Sequence, residues 1–330
     1  MDGMLKTSRV KSLTFSIGTF CLLLINYATI QKMAQNSVTS QLRGSTNGST
    51  GRGLALKESV AVHKAVNKRP AMHTFFEPVK GGCCGMTEEG HTNLVEAWKL
   101  AWQSYGWEIR VLNEADALTH PYFDLFQNLL IDAQVNEYDR RCFWRWLAMA
   151  NQPDGGWMAD YDNFPLTLTA EMGLEMQKEP GFKTWQNHVP SLLQADKESW
   201  DRIIGHMMNF ISPNLDVKII SDMQLLLYLH THLSEKELGI SVWENKVHTG
   251  FPYVRGGTGT GPKIDCSVAS SFLTAHLSHR DSHMAMEELH IYPKVHGMSA
   301  HEHAEKRADA ALFMMKDFRN QCLTTTLLYS

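Results

Sequence analysis

Residues 72–112 read MHTFFEPVKGGCCGMTEEGHTNLVEAWKLAWQSYGWEIRVL, and the changes of hydrophobic period within them decide the fold class. Met72 to Phe76 is a short apolar run with β character, and a glycine-rich turn, Gly81 to Gly85, follows it. From Asn93 to Tyr105 the residues Leu94, Trp98, Ala101 and Trp102 recur at helical spacing, and Trp107 to Leu112 returns to strand character. Strand, helix and strand in this order make one βαβ unit. Such a unit pairs its strands in parallel through a right-handed crossover and places ligands beyond their carboxyl ends. The sequence therefore predicts an α/β domain with a mostly parallel twisted sheet.

Further helices are predicted at Pro121 to Asp132 and Tyr138 to Met149, before Gly155-Gly156 breaks the pattern. Trp157 to Ala159 then leads as a strand into Asp160-Tyr161-Asp162. Beyond Leu166, helices are predicted at Lys197 to Asn209, Ser221 to Leu229 and Ala300 to Asn320, with a strand near Ser271 to Leu277. Trp98 and Trp102 have the spacing of a buried helix face and are assigned to the core, not to a sugar platform.

Upstream of the domain, Leu13 to Ile30 (LTFSIGTFCLLLINYATI) is uncharged and apolar, and as a helix would span roughly 27 Å, close to the thickness of a thin bilayer. Lys6, Arg9 and Lys11 precede it, so the positive-inside rule puts residues 1–12 in the cytoplasm and everything after the anchor on the other side. A cleaved signal peptide is the rival reading, but its apolar region is normally shorter. Residues 31–69 are rich in Ser, Thr, Gly, Asn and Gln and read as a flexible stem carrying an N-glycosylation sequon at Asn47. The catalytic domain is then 70–330.

Composition narrows the function classes. A hydrophobic fraction of 43% supplies a sizeable core, and a net charge of -4 gives no basic field for nucleic acid, which is excluded as a partner. Of the six cysteines, Cys21 lies in the apolar run and the odd remainder implies one or two bridges with at least one free thiol in an oxidising lumen. Cys83-Cys84 lacks the spacing of a redox or zinc motif and is read as structural.

The chemistry centres on Asp160 and Asp162. In an extended segment their side chains fall on one side, so both face a common ligand, and two carboxylates suit a hard divalent cation such as Mn2+ or Mg2+. Chance alone supplies roughly one D-x-D in a chain of this length, so the block Gly155 to Asp162 (GGWMADYD) carries the argument. This block, preceded by an arginine-bearing helix, resembles the D-x-D region of GT-A glycosyltransferases, especially the group related to yeast α-1,6-mannosyltransferases and α-1,4-galactosyl- and N-acetylglucosaminyltransferases.

The resemblance covers Tyr138 to Leu166 and implies a GT-A type, Rossmann-like domain that moves a hexose from a UDP- or GDP-sugar to a glycan or glycoprotein hydroxyl. It implies donor contacts by Phe75, Phe76, Arg141, Arg145, Asp160 and Asp162, and metal ligation by Asp160, Asp162 and a late histidine, His276 or His279. The chain departs from the family where Asn151 to Asp154 lengthens the link to the glycines and where Cys142 replaces an acid, for which Asp139 is a substitute. Asp222 and Asp265 lie where an acid or base for the acceptor could sit, and Asp222 is taken as the catalytic candidate. The implied location is a Golgi or endoplasmic reticulum membrane, single-pass type II, with the domain luminal. Two rival functions stand beside this: a metal-dependent phosphoester hydrolase using His276, His279 and His283 on one side of a helix, and a membrane-tethered carbohydrate-binding module.

Overall fold

The computed structural model describes residues 69–78, 80–81, 86–213, 221–254, 262–278 and 300–323. All fall in the compact unit Val66–Ser330. The predicted anchor at 13–30, the stem, Cys83, Cys84, His279 and His283 lie outside the described residues.

The chain opens with β1 (Ala71–Phe75), α1 (Glu88–Gln103) and β2 (Glu108–Leu112). Thr87 caps α1 by accepting from the Gly90 amide, and Glu88 and Glu89 favour its positive end. Ala71 of β1 pairs with Glu108 of β2 in parallel, so the predicted βαβ unit is present. Three helices follow, α2 (Glu114–Leu118), α3 (Phe123–Asp132) and α4 (Glu137–Ala150), and lead to β3 (Gly156–Ala159). Gly155 makes that turn with φ 65°, and a Cβ there would lie 2.5 Å from the Ala195 carbonyl oxygen, so only glycine fits.

Next come β4 (Asn163–Pro165), α5 (Ala170–Met176), β5 (Phe182–Thr184), β6 (Leu192–Ala195), α6 (Lys197–Ile211), α7 (Asp222–His232) and α8 (Glu235–Leu238). The remainder is β7 (Ile240–Trp243), β8 (Val247–Thr249), β9 (Tyr253–Val254), β10 (Lys263–Ile264), α9 (Cys266–Ala269), β11 (Thr274–His276), α10 (Ala300–Glu305), α11 (Arg307–Phe318) and a π-helical turn, Arg319–Leu323.

The main sheet has the order β2-β1-β3-β6-β5-β7 and is mixed, which corrects the predicted mostly parallel sheet. β1 runs parallel to β2 and β3, and β5 parallel to β7, but β6 is antiparallel to both β3 and β5. The cause is the link between β5 and β6. Residues 185–191 hold no helix, and a connection that short returns the chain antiparallel to itself. A smaller sheet, β4-β11-β8, packs beside the main one.

Among the described residues no helix is long and apolar enough to cross a membrane. The longest, α1, has 16 residues and carries Glu88, Glu89, Glu96 and Lys99, so it is both short and charged for a bilayer. The expected transmembrane helix is therefore not among these elements, and the type II Golgi or endoplasmic reticulum placement is not retained.

Side chains alternate across the sheet. Met72 and Trp157 pack into a core beneath α1 and α11, while Met158 and Leu193 pack into a second core beneath α3, α4 and α6. In the first core Trp98, Trp102, Trp107, Trp157 and Trp185 follow one another with centroid separations of 5.7 to 6.3 Å. Trp102, Trp107 and Trp157 donate their indole N–H groups to the carbonyls of Asn163, Leu168 and Gly173, which meets the polar requirement of a buried ring. Cys266 and Cys322 form a disulfide that closes the C-terminal turn onto α9, and Cys142 is the free cysteine among the described residues. Such bridges persist in oxidising surroundings.

Candidate metal and donor site

A cavity of about 300 Å³ opens beyond the carboxyl ends of β1 and β3, with Phe75, Phe76, Arg141, Arg145, Asp160, Asp162 and Asp222 in its wall. Asp160 follows β3 directly, and its backbone turns at once: the Asn163 amide donates to the Asp160 carbonyl at 2.9 Å. That turn starts β4, whose Asn163 lies opposite His276 of β11. The pairing therefore delivers His276 to Asp162. One ligand atom from each of Asp160, Asp162 and His276 lies within 4.8 Å of the others, the only such group of three among the described residues.

The imidazole is oriented for ligation. His276 Nδ1 lies 3.0 Å from Gln186 Oε1, which also accepts from the Ser191 hydroxyl, so the ring proton belongs on Nδ1. Nε2 then points at Asp162 Oδ1, 3.3 Å away. With the ring neutral, Nε2 presents a lone pair beside Asp162 Oδ1, and a histidine whose other nitrogen is held by an oxygen acceptor is the usual arrangement around a bound metal; with the ring protonated, the same nitrogen donates to Asp162.

Two arginines complete the cluster. Arg145 of α4 pairs with Asp160, and through Nε (2.9 Å) and Nη2 (2.6 Å) with Asp222 Oδ2. Trp146 donates to the same oxygen at 2.9 Å, and Asp222 Oδ1 accepts from the Met223 amide at the start of α7. Asp222 thus anchors Arg145 through Oδ2 while Oδ1 is taken by the Met223 amide, which suits a positioning carboxylate better than the acid or base expected from sequence. Arg307 of α11 donates from Nη2 to Asp162 Oδ2 at 2.7 Å and to the Leu277 carbonyl at 2.6 Å.

These contacts set the charge states. Burial raises the Asp160 carboxyl above its ordinary range, Arg145 works against this, and the charge of Asp162 adds to the rise. Burial pushes Asp162 the same way, but His276 and Arg307 override it and hold Asp162 well below the usual range. For His276 burial favours the neutral ring, yet Asp162 outweighs it and the pKa is raised. Burial, reinforced by the charge of Asp222, pushes the Cys142 thiol far up, so it stays protonated and is no nucleophile.

Most of the remaining predicted residues line the same cavity. Arg141 reaches the cavity one turn before Arg145, held by Glu137 at 2.7 Å and the Pro78 carbonyl at 3.3 Å. Phe76 meets Tyr161 edge-on at 5.8 Å, and Tyr161 hydroxyl lies 3.1 Å from His91 Nδ1, so these rings form one wall. Phe75 packs inward on the second core. Asp139 also lines the cavity. Asp265 instead caps α9 by accepting from the Ser267 and Val268 amides. His276 sits in a strand, not on a helix, and His279 and His283 lie outside the described residues. Arg307, Gln186 and Ser191 carried no sequence motif, because each reaches the site through packing between distant segments.

Residues 48–278 match the family described as Domain of unknown function (DUF8765), and the chain belongs to that family. Nothing among the curated proteins or the solved structures matches it.

Proposed function

We propose that this chain is a metal-dependent glycosyltransferase that moves a hexose from a nucleotide-sugar to a glycan hydroxyl. The observation that carries the reading is the convergence of Asp160, Asp162 and His276 at the carboxyl end of the central strands, beside a ring-walled cavity. The donor set, two carboxylates and an imidazole, fits Mn2+ or Mg2+. When bound there, the cation would offset charge on a departing nucleoside diphosphate.

The chain's own groups divide the remaining work. Phe76 and Tyr161 offer ring faces and edges against which a nucleobase rests. Arg141 brings positive charge to the cavity wall, where it favours phosphate oxygens over water. Asp222 keeps Arg145 fixed against Asp160, so the first carboxylate is oriented before the donor arrives. In the transfer the anomeric carbon exchanges its bond to the diphosphate oxygen for one to the acceptor oxygen, and the acceptor hydroxyl's proton passes to solvent as the nucleoside diphosphate departs.

Calorimetric binding of UDP, GDP and CDP to the full chain, with and without Mn2+, tests this beside the Asp160→Asn, Asp162→Asn double variant. Metal-dependent binding of one nucleotide, lost in the double variant, is the expected result. A folded wild type that binds none of the three, or that only hydrolyses phosphoesters without donor preference, sinks the reading.

A further inference from the structure

We infer that Arg307 is a resident counter-charge in this site: paired with Asp162, it makes the site hold the bare divalent cation weakly and take it together with a diphosphate anion. The inference rests on the metal-dependent reading above. Arg307 donates to Asp162 Oδ2 at 2.7 Å, and Arg145 pairs with Asp160 on one side and Asp222 on the other. The side chains of Arg307 and Arg145 are 4% and 11% exposed, so solvent ions screen them little.

A divalent ion between Asp160, Asp162 and His276 therefore arrives beside the fixed positive charge of Arg307, whereas that of Arg145 is already divided between Asp160 and Asp222. Asp162 has divided its oxygens: Oδ2 serves Arg307, and Oδ1, facing His276, is the edge left for the cation. Asp160 likewise shares its charge with Arg145. A diphosphate restores the negative charge that the arginines have consumed, and the cation gives that anion a partner the carboxylates deny it. Each ligand then strengthens the other by the same factor, as linkage requires.

The geometry also separates this device from simple site organisation. If Arg307 only oriented Asp162, its removal would loosen the cation; if it acts as a resident counter-charge, removal leaves Asp162 more attractive to the bare ion. The short bridge from a nearly buried guanidinium to a single carboxylate oxygen favours the counter-charge role.

The test measures free Mn2+ by electron paramagnetic resonance with the full chain, alone and with saturating UDP, GDP or CDP, against a protein-free nucleotide blank. Mn2+ affinity is expected to rise at least about tenfold with the nucleotide that binds, and nucleotide affinity to rise by the same factor with Mn2+. Arg307→Met is expected to bind Mn2+ alone about tenfold or more tightly than wild type, with a smaller nucleotide effect, while Arg307→Lys, which keeps the charge, stays near wild type. Looser or unchanged Mn2+ binding by a folded Arg307→Met overturns the inference and leaves the transferase reading standing; equal Mn2+ affinity with and without every nucleotide overturns both, because linkage then leaves nucleotide binding independent of the metal. No Mn2+ binding under any condition overturns both. Should Arg307→Met fail to fold, Arg307→Gln is titrated in its place and the same outcomes decide.

Discussion

Asn163 stands directly opposite His276 in the β4–β11 pairing, and this register is what carries an imidazole from late in the chain to the carboxylate of Asp162. Because side chains alternate along a strand, a slip of one residue would turn His276 to the opposite face of the small sheet and dismantle the cluster. The site is therefore a product of strand pairing as much as of the D-x-D triplet.

Gln186 holds His276 Nδ1 and so aims Nε2 at the ligating position. Gln186→Leu should leave the fold intact and weaken Mn2+ binding in the presence of nucleotide by about 10- to 100-fold, the usual cost of losing a metal ligand's outer partner. A titration of the folded variant that matches wild type would remove Gln186 from the site.

Gly173 lies in α5 where a Cβ would come within 2.1 Å of the Trp107 ring. Alanine favours a helix over glycine by about 1 kcal/mol, but overpacking a tryptophan core costs about 1–3 kcal/mol, and a clash this deep puts the cost at the upper end. Gly173→Ala should therefore lower the urea midpoint. A raised midpoint would mean that the tryptophan series yields more readily than its packing implies.

The Cys266–Cys322 bridge closes a loop across a sequence separation of 56 residues. Chain entropy alone assigns such a loop about 4 kcal/mol of stabilisation. Thermal unfolding with and without a reductant should show a clear drop in Tm on reduction, and Cys266→Ser should reproduce it without reductant.

His73 gives the fold an acid-sensitive element. It is buried in β1, with Nδ1 donating to the Trp157 carbonyl at 2.8 Å and no partner on Nε2. Burial lowers its pKa from 6.5 to about 4. Between those values the unfolded chain binds a proton that the folded chain refuses, so stability rises with pH across the window and falls as pH drops through it. The contribution lost between pH 6.5 and pH 5 is about 2 kcal/mol. Urea unfolding over this range should have a shallower pH slope in His73→Leu, and identical slopes would dismiss His73 as the source.

The elements that sequence revealed are those whose signals are local. Leu94, Trp98 and Trp102 recur at helical spacing and do lie on the buried face of α1, Met72 to Phe76 overlaps β1 shifted by one residue, and Trp107 to Leu112 contains β2. Asp160 and Asp162 were legible because the glycine pair and the apolar strand adjoin them. β6 was not, since Leu192 to Ala195 is a brief apolar run and its reversal depends on the short link from β5. Arg307 is the extreme case, 145 residues from Asp162 in sequence, where a lone arginine in a charged helix start looks like any solvated one.

Arg307 also bears on where the functional unit ends. The family match stops at residue 278, one position after the carbonyl that Arg307 holds. A fragment cut there would retain Asp160, Asp162 and His276 yet strand Asp162 beside the vacated place of its guanidinium. It would carry all three of these groups and still present a different candidate cation site, since the helix that supplies Arg307 to Asp162 would have been removed.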